Sequence, residues 1–519
     1  MNRFKLTNRR TTKFESIESI EPIEQSNNRT IQSIKKMSFS IPKYLSLALL
    51  LAFPALFQAQ GLLLDDERYE ILPRQPLYGE GSKAESEALK GIAKADLKPY
   101  CPTPQDQGYI GSCTGWSTGY GAFTILNAIR NKMAGKTPEI TRDAMSALFI
   151  YNQVRKGSCD FGAYISDAAG FLVKTGDIFS RDFDRIKNDC EKTAGDEDKE
   201  NAAQNRIRDY VTLFAPNDPA TVKIQKTKLS LAQNKPVIIG MKLYKNFQRI
   251  TSKDEYWYPA KGDTSLLGAH AMVVIGFDDG REAFELMNSW GVNWGNSGFI
   301  WVKYKDFGRF CQYAVQLIPD DGHLSGKEYK SAVTIRRPGY DEDNNLQFTD
   351  LDLRYNNGYY DLRAGALKKG DLLQPLVKYI TADMYLYAFS FDAGRKVKVH
   401  WPRDETLDSK YDGKHESAVV SIADVNLPIP GPYGALSFSN PGTEYICFLV
   451  SKSPIDNFNG YLSKLQSYQK GDFLANLQKA FGKQLEPVSD VQYDAAEIQA
   501  QSGLKKGGIM PVVVRVVVR

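Results

Sequence analysis

The chain has 519 residues, 42% of them hydrophobic, with 41 glycines and 24 prolines, which suits two or three globular cores and excludes a largely disordered protein. Its formal net charge of +5 is concentrated in residues 1–59, which hold nine Lys or Arg against four Glu, so the remainder is neutral. A neutral body lacks the electrostatic footprint of a nucleic-acid or anionic-membrane binder, and neither partner is expected.

Residues 1–36, polar and rich in Ser, Asn and Glu, read as an upstream extension ahead of the working start at Met37. Residues 37–59 then read as a signal peptide: Lys43 follows Lys35 and Lys36, Tyr44 to Phe57 form an uncharged apolar run broken by Pro54, and Ala59 is small. That run of about 14 residues falls short of the roughly 20 that a bilayer core needs. Cleavage is therefore expected over anchoring, leaving no stable membrane span and a secreted or periplasmic chain. Phe57 departs from a small-x-small cleavage site, and the competing reading is a cytoplasmic tail on an anchored protein. Six cysteines in an exported chain invite disulfides, and if one is a nucleophile an odd number remains.

Residues 60–96 form a charged, weakly patterned linker or pro-segment with Pro73 and Pro76, and a short helix is expected from Ser82 to Ala95. Residues 97–319 hold the chemistry-bearing motifs. The turn-rich string Pro319-Asp320-Asp321-Gly322-His323 marks a boundary, and residues 325–519 change to period-two strands. Tyr385, Tyr387, Phe389 and Phe391 alternate, Asp392 to Arg395 turn through Gly394, and Val397, Val399 and Trp401 resume, which predicts a hairpin. Ser331 to Arg336, Glu444 to Val450 and Pro511 to Val518 predict further strands. Helices are expected only at Asp472 to Phe481 and Tyr493 to Gln501. The C-terminal part is thus expected to be a mainly β, sandwich-like domain.

Three stretches point to nucleophilic catalysis. The first is Gln107-Gly108-Tyr109-Ile110-Gly111-Ser112-Cys113, followed by a small and apolar run, Gly115 to Met133, with Trp116, Tyr120, Phe123 and Ile129 at helical intervals. Cys113 then opens a buried helix, where the dipole and free N–H groups favour a thiolate and lower the cysteine pKa. The alternative for any single cysteine is a buried structural residue. The second stretch is Leu267-Gly268-Ala269-His270-Ala271-Met272-Val273, the start of a buried strand. His270 is the one histidine of four that lies between residues 97 and 319, and so the candidate base; a satisfied core histidine is the alternative. The third is Asn288-Ser289-Trp290-Gly291. The amide oxygen of Asn288 can accept from the imidazole and so set its tautomer, and Trp290 can shield that bond from water.

Together these motifs resemble the papain family of cysteine peptidases: Gln-Gly-x-x-Gly-Ser-Cys, then His-Ala, then Asn-Ser-Trp-Gly-x-x-Trp-Gly, in the family's order. The resemblance covers residues 97–319. It implies an α+β fold of two lobes, one helical and one β-barrel-like, with the site in the cleft between them. It implies hydrolysis of a peptide or protein substrate through a covalent acyl-enzyme on a Cys113–His270–Asn288 triad, with no metal and no organic cofactor. Gln107 matches the family's oxyanion-hole glutamine, a donor type worth roughly 3–4 kcal/mol. Ser158-Cys159-Asp160-Phe161-Gly162 resembles the family's Cys-x-Gly-Gly, which makes Gly162 the substrate-contact candidate and Trp290 a further cleft residue.

The departures are specific. Thr114 replaces the usual Trp, as in many bacterial relatives, and Phe161 replaces the first glycine. Ile110 stands where the usual partner of Cys159 would be, so Cys190 is the expected disulfide partner, with buried free thiols as the alternative; the pairing of Cys101, Cys311 and Cys447 stays open. A silent binding protein on the same fold, or an acyl transferase or ligase using the same triad, are the competing functions. The C-terminal region more loosely resembles a β-rich bacterial module of unknown function. Its loops Trp401-Pro402-Arg403-Asp404-Glu405 and Leu427 to Pro432 are read as turns, or else as a surface for an unknown partner.

Overall fold

Val, Ile and Leu fill Val237–Tyr244, Leu266–Asp278 and Cys311–Pro319, and these runs are buried on both faces over most of their length. They form the centre of an eight-stranded sheet in the order Ile207–Thr212, Cys311–Pro319, Val237–Tyr244, Leu266–Asp278, Ala283–Met287, Phe299–Lys303 and Tyr256–Trp257, with Lys94–Asp96 also paired to Leu266–Asp278. This computed structural model describes residues 61–519 apart from 77–85, 87, 187, 260–264, 321–327, 364, 380, 404–415, 433 and 496. The expected upstream extension and signal peptide, His323, Asp404 and Glu405 therefore lie outside the described residues. Among the described residues no helix is long and apolar enough to cross a membrane.

Against the sheet lies one continuous helix made of Cys113–Gly115, Trp116–Phe123 and Thr124–Arg130. The sequence predicts a regular helix here; the structure winds Trp116–Phe123 as a π-helix, a form that gathers at functional sites. Its glycines let neighbours approach. A methyl group on Gly115 would overlap the carbonyl of Ala147, and one on Gly121 would meet Val273 Cγ2 at 2.7 Å. The helix is thereby held between the helix Ala147–Val154, capped by Ser146, and the strand Leu266–Asp278. Ile165–Lys174 is a further helix.

The C-terminal region is two seven-stranded sheets facing one another. Val333, Ile335, Leu373 and Val377 of one share a core with Leu386, Ile446, Phe448 and Val512 of the other, as in a sandwich. The predicted hairpin is present as Met384–Phe391 and Val397–Trp401. The opposite face of that sheet, Tyr385, Tyr387, Phe389 and Phe391, is also buried. The helices Phe458–Ser467 and Phe473–Phe481 help to cover it, Phe458 lying 4.8 Å from Tyr387 and Phe473 stacking 4.2 Å from Tyr445.

Two helix expectations are corrected. Tyr493 to Gln501 is not helical: Gln492–Tyr493 and Ile498–Ser502 are strands, with Ile498, Ala500 and Ser502 buried in alternation against Tyr329–Tyr340. Only part of Ser82 to Ala95 is described; Ser86 and Ala88 are helical, but the stretch ends in the strand Lys94–Asp96, paired with the end of the central strand at Gly276 to Asp278. The two regions meet through buried polar contacts. Lys235 Nζ lies 2.6 Å from Asp383 Oδ1 and donates to the Ser421 carbonyl at 2.6 Å, while Tyr385 donates to Asp209 at 3.1 Å.

Candidate active site

The turn before the long helix is tight: Asp106 Oδ1 accepts from the Gly108 N–H at 2.9 Å, and Gly108 has a left-handed φ of +68°. It delivers Cys113 to the first position of the helix with its side chain wholly buried. The N–H groups of Ala271, Gly61, Thr114 and Cys113 itself are all positioned to favour an anionic sulfur. Burial outweighs them and pushes the thiol up to about 11. The expected depression of this pKa is thus reversed in the structure, because the charged form would have no water.

His270 lies in the long strand opposite Met241, and its ring is fully buried. Its Nε2 is 2.8 Å from Asn288 Oδ1, which also accepts from the Ser289 N–H at 2.8 Å. A backbone N–H can only donate, so the atom facing it is the amide oxygen; that orientation makes Nε2 the protonated ring nitrogen. Among the described residues Nδ1 has no hydrogen-bond partner. Burial lowers the His270 pKa to about 4, with Asn288 pulling the other way. The Trp290 ring lies 4.8 Å from the imidazole, tilted by 33°, and is braced by Phe247 and Trp294 at 5.4 and 5.5 Å.

Gln107 is held from both ends. Its Oε1 accepts from the Ser289 hydroxyl at 2.6 Å, its backbone N–H donates to the Ser289 carbonyl at 2.8 Å, and Nε2 donates to the Ile110 carbonyl at 3.0 Å. Ser289 therefore fixes both Asn288 and Gln107, a role that no sequence signal beyond its place in Asn-Ser-Trp-Gly announced.

Cys159 and Cys190 are joined by a disulfide, with Cα atoms 5.8 Å apart. The Cys159 carbonyl accepts from Gly111 N–H and from the Tyr151 hydroxyl, each at 2.8 Å, which ties this loop to the turn before Cys113. Cys101, Cys311 and Cys447 are buried and form no disulfide among the described residues. Gly162 does not face an open groove. A methyl group there would overlap the carbonyl of Gly61, and one on Gly61 would overlap the carbonyl of Gly111.

That crowding comes from a segment whose own residues offer no reason to place it here. Residues 61–64 run through the groove beside Cys113. The Gly61 carbonyl accepts from Ala163 N–H at 2.8 Å and the Leu63 N–H donates to the Ala163 carbonyl at 3.1 Å, a parallel bridge centred on Leu62. The buried Leu62 side chain sits over Gly240, where Tyr313 and Ile165 close the space. What the segment offers the sulfur is the Gly61 N–H, while its carbonyl is committed to Ala163.

Residues 95–318 match the family model described as papain family cysteine protease. An uncharacterized peptidase C1-like protein of Acanthamoeba polyphaga mimivirus is 27% identical over 224 residues, 40% of this chain and 68% of that protein. A probable cysteine protease of Arabidopsis thaliana is 26% identical over 241 residues, 46% of this chain and 47% of that protein, so the match spans about half the length of the plant relative. Among solved structures, xylellain, a cysteine protease from Xylella fastidiosa, is 24% identical with a TM-score of 0.40, covering 50% of this chain and 96% of that one. Over residues 95–318 the chain is thus similar to the papain-family cysteine proteases.

Proposed function

We propose that the protein is an exported peptidase that hydrolyses peptide bonds of protein substrates through a covalent acyl-enzyme on Cys113. The observation that carries this reading is the division of labour on one buried ring: His270 Nε2 is held by Asn288 while Nδ1 is left unbonded. Cys113 is the neighbouring nucleophile, its sulfur within reach of the N–H of Ala271, the residue after His270. In the reaction Nδ1 takes the thiol proton as the sulfur attacks the substrate carbonyl carbon. The resulting oxyanion is met by the Cys113 N–H and the Gln107 side-chain N–H. Collapse breaks the C–N bond, Nδ1 returns the proton to the leaving amine, and water, deprotonated by the same nitrogen, hydrolyses the thioester.

Residues 61–64 must leave the groove before a substrate enters, and their departure readmits water to a thiol and an imidazole that are both held neutral by burial. The test uses full-length protein carrying Leu62→Asp, which places a charge in an apolar groove. Iodoacetamide is expected to label Cys113 ahead of Cys101, Cys311 and Cys447, and Cys113→Ala in the same background is expected to abolish hydrolysis of a protein substrate without changing the circular-dichroism spectrum. Hydrolysis that survives Cys113→Ala refutes the assignment.

A further inference from the structure

We propose that the C-terminal β-sandwich is the clasp that keeps residues 61–76 seated in the cleft, so that access to Cys113 is coupled to the contact between residues 74–76 and 416–421. The proposal rests on reading Cys113 as the nucleophile and concerns what controls access to it. The segment is fastened at three places along its length. Residues 61–63 bridge to Ala163 beside Cys113. The short helix Asp66–Glu70, capped by Asp65, is laid on the strand Cys311–Pro319: Tyr69 stacks 4.0 Å from Tyr313 and its hydroxyl donates to the Ala314 carbonyl at 2.9 Å.

The third fastening involves both regions at once. Thr212 N–H donates to the Pro73 carbonyl at 2.9 Å and Gln75 N–H donates to the Thr212 carbonyl at 2.7 Å, which pairs the segment with the edge of the protease sheet. On its other side Ser417 N–H donates to the Arg74 carbonyl at 2.8 Å, within a bridge between Arg74 and Glu416. Arg74 is thus sandwiched as a single residue between the end of the protease-domain strand Ile207–Thr212 and Glu416 of the sandwich, an isolated bridge on each side. Next to it Gln75 is fully buried, and its Nε2 donates to Ser421 Oγ at 3.1 Å.

The sandwich side of this contact is braced by its own partners. Glu416 is gripped by Arg403, with Nε 2.6 Å from Oε2 and both side chains buried. Val419–Val420 pairs with Met384 and Tyr385 of the central hairpin. Ser421 presents its hydroxyl to Gln75 and its carbonyl to Lys235 of the protease domain, at 2.6 Å. One residue therefore links the segment, the sandwich and the protease sheet. Lifting the segment strips a buried glutamine amide and the Arg74 carbonyl of partners that the protease domain alone does not supply, which weights the equilibrium toward the filled groove.

The experiment measures the iodoacetamide labelling rate of Cys113 in the full chain for wild type, Gln75→Ala, Ser421→Ala and Ser417→Pro, with Leu62→Asp as the direct displacement. Ser421→Ala removes the hydroxyl and keeps the carbonyl for Lys235. Gln75→Ala is expected to raise the rate about tenfold, equivalent to ~1.4 kcal/mol, and Ser421→Ala to raise it several-fold. Should Ser417→Pro fail to fold, the other two variants decide. Acceleration by Leu62→Asp with wild-type rates in both Gln75→Ala and Ser421→Ala overturns the clasp and leaves the peptidase assignment standing. Cys311 and Cys447 becoming labelled in step with Cys113 also overturns it, because that is global unfolding. If Leu62→Asp yields neither labelling of Cys113 nor hydrolysis, the assignment of the site falls, and the clasp with it.

Discussion

Acid is expected to loosen the filled groove through His270. The ring is fully buried and its pKa is lowered to about 4 by that burial, whereas a hydrated imidazole titrates near 6.5. The folded value lies below the free one, so the open form takes up the proton more readily. The filled state is therefore at full strength above about pH 6.5, weakens as pH falls, and levels off below about pH 4. The gap of 2.5 units at ~1.36 kcal/mol each, evaluated at pH 4 where half the buried rings are already charged, gives about 3 kcal/mol, or roughly a hundredfold. The neighbouring Cys113 thiol, pushed up to about 11, stays protonated throughout this window and contributes no opposing charge. The assay pairs an NMR titration of the His270 ring with hydrogen exchange at the Leu63 N–H, which bonds to the Ala163 carbonyl. His400, held to about 3 by burial in the sandwich, has an effect of the same sign but a separate NMR signal. A His270 ring that titrates near 6.5 in the filled state, or Leu63 protection that is constant from pH 7 to 4 after correction for the intrinsic rate, refutes the reasoning.

Asn288→Ala leaves a buried ring N–H without its acceptor and is expected to cost about 1–3 kcal/mol in kcat/KM, well short of His270→Ala, since it positions a proton without transferring it; equal losses in two folded variants reverse the roles. Cys159→Ser is expected to lower stability to denaturant by ~3–4 kcal/mol, from a closed loop with a sequence separation of 31 residues, and an unchanged midpoint in non-reducing buffer contradicts this. N-terminal sequencing of protein from native cells is expected to begin near Gln60 or Gly61; an intact Met1 or Met37 removes the export proposal.

The candidate triad was legible because each member announces itself by residue type and local setting. Cys113 follows two glycines and a serine, His270 opens an apolar strand, and Asn288 begins Asn-Ser-Trp-Gly, so none of them needs a tertiary contact to be noticed. The sandwich was legible from the alternation in Met384 to Trp401, since period two survives even where both faces are buried. What the chain concealed depends on neighbours distant in sequence. Gly61 to Leu64 opens the weakly patterned linker, and its place beside Cys113 follows only from the close approach that glycines 61, 111 and 162 permit. The raised Cys113 pKa is hidden for the same reason: a helix N-terminus is visible in a sequence, but the chain that excludes water from it is not. Tyr493 to Gln501 mixes helix-forming Ala, Glu and Gln with a strand's alternation, and pairing to Tyr329–Tyr340 decided for the strand.

The segment in the groove belongs to the same chain as the groove, and this sets the kinetic order of its action. Tethered through residues 65–76, it meets Cys113 at an effective concentration on the order of millimolar for a short linker, whatever the protein's own concentration. Blocking is then first order, and dilution into a large volume does not relieve it. A single break anywhere between the groove and the residues gripped by Thr212 and Ser417 turns the same piece of chain into a separate peptide. Its rebinding becomes second order and fades on dilution, so one cut converts a state insensitive to volume into one that a larger volume empties.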